Sequence, residues 1–115
     1  MNIYHIWCNL KAGVSDVEFV DTLHNYLAHV QAQGHMHSYR ITRRKLGLGP
    51  PHLPEFHITL EFADLAQLDA AFNHVATRCD PVESLHQAVN SQVQDTIFAL
   101  YPIFTSWRFI NNLTH

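Results

Sequence analysis

Residues 55–62 read Glu55-Phe56-His57-Ile58-Thr59-Leu60-Glu61-Phe62, with apolar and polar side chains alternating throughout. A period of two is that of a half-buried strand, because successive side chains leave a strand on opposite sides. Phe56, Ile58, Leu60 and Phe62 must therefore face a core. Glu55, His57, Thr59 and Glu61 line the other side, where two carboxylates flank a histidine. The rest of the chain has to supply a cover for the first side and strand neighbours for the edges.

Upstream, residues 46–54 (Leu-Gly-Leu-Gly-Pro-Pro-His-Leu-Pro) form a loop too long for a tight hairpin, and its prolines cannot donate to a ladder. The Gly47–Pro51 run lacks the later glycine or the lysine of a phosphate cradle, so it is a turn. Before it, residues 35–45 read as a strand with His35, His37, Tyr39 and Ile41 on one face and Met36, Ser38, Arg40 and Thr42 on the other. Neither face is strongly apolar, which suits an edge strand or one paired with another chain. Ser15 with Glu18 forms a capping box that opens a helix carrying Phe19, Val20, Leu23, Leu27 and Val30 on one side, and Gly34 stops it. Residues 2–10 alternate like residues 55–62. Tyr4, Ile6, Cys8 and Leu10 share one face; Ile3, His5, Trp7 and Asn9 share the other.

Downstream, Asp64 with Gln67 opens a second helix with Leu65, Leu68, Phe72 and Val75 on one side. Asp80 as cap, Pro81 at the first helical position and Glu83 in the first turn open a third, with Leu85, Val89 and Val93 facing inward. Residues 96–101 form a last strand before Pro102. The order β-α-β-β-α-α-β places an α+β domain over residues 1–102, followed by an apolar tail, 103–115, that is either docked on a neighbouring surface or disordered. With helices on one side only and right-handed crossovers, this order gives the split βαβ sandwich with an antiparallel sheet. Its central strands are the first and third, here 2–10 and 55–62.

Composition narrows the class. The 115 residues suit one domain, and the formal charge of −3 argues against a nucleic-acid partner. No apolar run approaches the roughly 20 residues of a membrane span, and no basic segment followed by an apolar block marks export. Cys8 and Cys79 have neither metal nor redox spacing, so two free thiols in a reducing cytoplasm are expected.

The element order, the length and the half-polar uncovered face over residues 2–101 resemble the dimeric α+β barrel group of ferredoxin-like proteins. That group includes the stress-responsive α/β-barrel proteins and the antibiotic-biosynthesis-type monooxygenases. The resemblance implies a homodimer whose sheets close into a barrel. It also implies a small-molecule cavity between each sheet and its helices or within the barrel. Members range from cofactor-free oxygenases and isomerases to proteins of no known activity, so no catalytic residue carries over. The sequence itself gives no cofactor signature.

The uncovered face holds the chemistry. His5, His57 and Glu61 converge there with Trp7, Asn9 and Thr59, since same-face neighbours along a strand are about 7 Å apart and paired neighbours about 5 Å. Tyr39, from the neighbouring strand, joins them as a candidate ligand contact. A histidine beside a carboxylate is a general base at neutral pH, Asn9 would hold an oxyanion and Trp7 would stack on a small, partly apolar ligand. That set fits proton abstraction in cofactor-free oxygenation or isomerisation. It equally fits polar groups satisfying one another across a dimer seam. A competing metal reading takes His35 and His37 as an H-x-H pair, joined by His5, His52, His57 and Glu61. The helical His24, His29, His74 and His86 read as ordinary boundary residues.

Overall fold

A computed structural model describes residues 1–104. It contains β1 (Asn2–Leu10), α1 (Asp16–Ala32), β2 (Ser38–Arg43), β3 (Phe56–Phe62), α2 (Leu65–Ala76), α3 (Val82–Asn90) and β4 (Val93–Pro102). The sheet order is β2-β3-β1-β4 and every adjacent pair is antiparallel. This is the expected α+β, ferredoxin-like arrangement, with β1 and β3 at the centre.

Burial in β3 alternates residue by residue, with Phe56, Ile58, Leu60 and Phe62 buried. Their cover is α1, whose buried Phe19, Leu23, Leu27 and Val30 follow helical spacing. Ser15 Oγ accepts the Glu18 amide at 3.1 Å and caps that helix. In α2, Asp64 Oδ1 accepts the Gln67 amide at 2.8 Å, while Gln67 Oε1 reaches back to the Ala63 amide at 2.7 Å. Cys8 is buried in the core, Cys79 is exposed, and both are free.

Four expectations need correction. β2 spans only Ser38–Arg43, because the chain ahead of it bends to bury Met36 in the core instead of presenting it beside Ser38. β4 is longer than expected, since Val93 already pairs with Leu10, and a bulge between Trp7 and Asn9 is absorbed at Asp95, where φ is +57°. α3 begins at Val82, and Asp80 Oδ1 accepts the Ser84 amide at 3.1 Å. In α2 the core is met by Leu68 and Ala71, leaving Leu65 and Phe72 exposed. Ile103 extends the β1–β4 ladder by donating to the Met1 carbonyl at 2.9 Å. The docked-or-disordered tail lies, from residue 105 on, outside the described residues.

Candidate functional site

The β1–β3 register sets His57 opposite Trp7, His5 opposite Thr59 and Ile3 opposite Glu61, all on the face away from the helices. His5 and His57 are therefore diagonal neighbours, and His5 Nδ1 lies 2.9 Å from His57 Nε2. The Trp7 ring stacks on His57 at 4.6 Å with 4° between planes. Tyr101, from β4, meets His5 edge-on at 5.0 Å. Burial lowers the pKa of both histidines, and for His57 the nearby charge of His5 lowers it further. The result is a row of four rings with one imidazole–imidazole hydrogen bond at its centre.

The other expected members are placed differently. Glu61 Oε2 accepts the Ser38 hydroxyl at 2.7 Å, so its carboxylate serves the edge strand and not a histidine. The Asn9 amide is committed twice: its oxygen accepts the Glu55 amide at 2.9 Å and its nitrogen donates to Asp95 at 3.2 Å. Thr59 stands between His5 on β1 and Arg40 on β2. Tyr39 is on the helix side, because it pairs with Leu60, and its hydroxyl contacts His24 Nδ1. His35 and His37 do not form a strand pair, since β2 starts after them. The His35 ring packs 5.2 Å from His74, which lies 5.9 Å from His29, whereas His37 is exposed. Among the described residues no group of three or more His, Cys, Asp or Glu is arranged to hold a metal ion.

A second feature lies on the opposite side of the sheet. A cavity of about 410 Å³ separates β1, β3 and β4 from the three helices. Its walls are mainly apolar, with Ile6, Leu23 and Ile58 among them, and its polar groups include Tyr4, Tyr26, His86 and Thr96. Tyr4 sits between Phe72, edge-on at 5.4 Å, and Phe98, stacked at 5.8 Å. Tyr26 and His86 approach to 5.5 Å between ring centres. Burial pushes the Tyr26 phenol up to about 12 and the Cys8 thiol up to about 11, so both stay protonated at neutral pH. Sequence reading missed Tyr26 and His86, although the spacing that selects Phe19, Leu23 and Val30 also selects Tyr26. His86 likewise falls four residues after the buried Val82. Their polar heads disguised inward-facing positions.

The chain belongs to a family of unknown function, DUF6614, whose model matches residues 1–108. No curated protein matches the sequence. Among solved structures, an Arabidopsis thaliana protein superposes with a TM-score of 0.73 at 11% identity, over 92% of this chain and 98% of that one. A mutant of SnoaB, a cofactor-independent oxygenase from Streptomyces nogalater, gives 0.70 at 8% identity, over 92% and 95%. A DABB family protein with a ferredoxin-like fold from Mesorhizobium loti gives 0.62 at 14%, over 90% and 97%. At these identities the likeness is one of fold, and the shared fold is the ferredoxin-like α+β arrangement.

Proposed function

We propose that the protein is a homodimer that binds a small, largely apolar molecule in the cavity between its sheet and helices. The observation that carries this reading is the cavity: about 410 Å³, mainly apolar, with a few inward polar groups. Ligand sites are concave, apolar pockets in which a few polar groups fix orientation. Tyr26, held protonated by burial, is a hydrogen-bond donor for a carbonyl or phenolic oxygen. The homodimer is supported by the uncovered sheet face, where Trp7 and Ile3 adjoin the exposed Ile97 and Tyr101 of β4. A stress-responsive-type role is consistent with this reading.

The test is a titration with 1-anilinonaphthalene-8-sulfonate, an apolar fluorophore with one anionic group, followed by its emission. Wild-type protein should enhance the emission saturably. Ala76→Trp, which places an indole on the wall from an exposed position, should abolish the enhancement without lowering thermal stability. Equal binding by both proteins would remove the cavity reading.

A second reading rests on the contact between His5 and His57. With His57 as general base and His5 holding its ring, the face would support proton abstraction from an activated carbon, as in cofactor-free oxygenation or isomerisation. His57→Ala would then abolish turnover of a substrate found by screening while cavity binding persisted.

A further inference from the structure

We propose that the contact between His5 and His57 makes dimerisation proton-linked: the sheet face accepts a second copy when the pair is neutral and releases it when the pair is charged. The inference rests on the homodimer reading above and does not depend on turnover. Two imidazole nitrogens 2.9 Å apart need one proton between them, supplied by one ring and accepted by the other. Adding a proton to each ring removes the acceptor and sets two like charges beside each other. Exposed to water, the rings can turn apart and be hydrated. Covered by a second sheet, they cannot, because a buried charge without a counter-ion is costly.

The surroundings offer little relief. Glu61 lies on β3 and Glu55 just ahead of it; the Glu55 carboxylate pairs with Arg43, and that of Glu61 accepts the Ser38 hydroxyl. On β2 the facing charge is Arg40, and just after β2 Arg44, which donates to the Pro50 and Leu53 carbonyls, lines the same hollow as Trp7 and His57; both add to the sign of the histidines. On β4 the facing groups are Tyr101, edge-on to His5, and Asp95, bonded to Asn9. Trp7 lends its ring face to His57 and tolerates one positive charge there. Among the described residues neither histidine is ion-paired to a carboxylate, so a second charge per pair has no salt-bridge partner. Two chains bring two such pairs to one interface, so acid works against the dimer twice over.

The lowered pKa values of both rings have the sign this requires: protonation is already disfavoured by partial burial in the single chain, and full burial extends the effect. Association is therefore complete above the histidine range and weakens as pH falls through it. Release takes up at least one proton per chain, so the dimer dissociation constant rises about 100-fold or more per pH unit below that range.

Sedimentation velocity of the full chain between pH 8 and pH 5, with far-UV circular dichroism at each point, tests the proposal. The expected result is a dimer at pH 8 and a folded monomer at pH 5. In the double variant His5→Gln, His57→Gln the dimer should persist at pH 5. Should that variant fail to fold, calorimetric dilution of wild-type dimer in buffers of different ionisation enthalpy reads the proton uptake directly. Dissociation without proton uptake, a wild-type dimer equally tight at both ends, or acid dissociation unchanged in the double variant would each overturn the linkage while leaving the dimer standing. A monomer at every pH would overturn the dimer reading and this inference with it.

Discussion

Two imidazoles in contact on a strand pair set the electrostatics of one face. Their ring centres are 5.2 Å apart. Two full charges at that distance repel by about 3 kcal/mol at an effective dielectric near 20, and by less once solvent screens these half-exposed rings. The sign for stability follows from the direction of the shifts. Both folded-state pKa values lie below the unfolded value of about 6.5. No penalty exists above that value. Below it the unfolded chain binds protons that the folded chain refuses, and the penalty grows until the lowered folded value is passed. His5→Gln should therefore raise the His57 pKa, read from its ring-proton chemical shifts across a pH series. An unmoved titration would mean that the two rings do not sense each other. That His5, His57 and Trp7 share a face was legible from alternation alone. The partner of Glu61 was not, because Ser38 reaches it from a strand whose own register the sequence left undetermined.

At the level of elements, legibility tracks how sharply burial divides the two sides. β3 and α1 were readable because their inward positions are filled by large apolar groups; Ile58 is 1% exposed and touches the centre of the core. Ile58→Ala should cost about 2–5 kcal/mol, the sum of lost transfer energy and the cavity left behind. Ser15→Ala should cost about 1 kcal/mol, because water replaces the lost cap. Urea unfolding of both variants checks the ranking, and a cap loss exceeding the core loss would contradict the packing described here. β2 lacked such a division, so its alternation could be read in either phase. Pairing with β3 settles it: Tyr39 stands beside Leu60 and Ile41 beside Ile58, both on the helix side. α2 misled for a different reason. Phe72 has helical spacing with Leu68 yet is 45% exposed, because it stands at the mouth of the cavity rather than over filled core.

For the molecule as a whole, the sheet separates the cavity on its helix side from the uncovered face, and a substitution on one should leave the other untouched. Ile97 lies opposite Trp7 on the uncovered face and is 41% exposed. A lysine there keeps the ladder, which uses only backbone groups, and its ammonium reaches water in the single chain. Surface changes of this kind alter stability by about 0.5 kcal/mol or less. In a dimer joined through that face, however, two ammonium groups would lose their water beside the Trp7 rings, a large penalty against association. Ile97→Lys should thus sediment as a folded monomer with an unchanged circular dichroism spectrum. Its saturable enhancement of 1-anilinonaphthalene-8-sulfonate emission should be retained, because the cavity walls come from the opposite side of the sheet. A dimer that survives the substitution would place the contact elsewhere, with the exposed Phe98 and Leu100 on the helix side of β4 as the next surface to probe. A monomer that loses the fluorophore would instead show that the cavity needs the second copy for its shape.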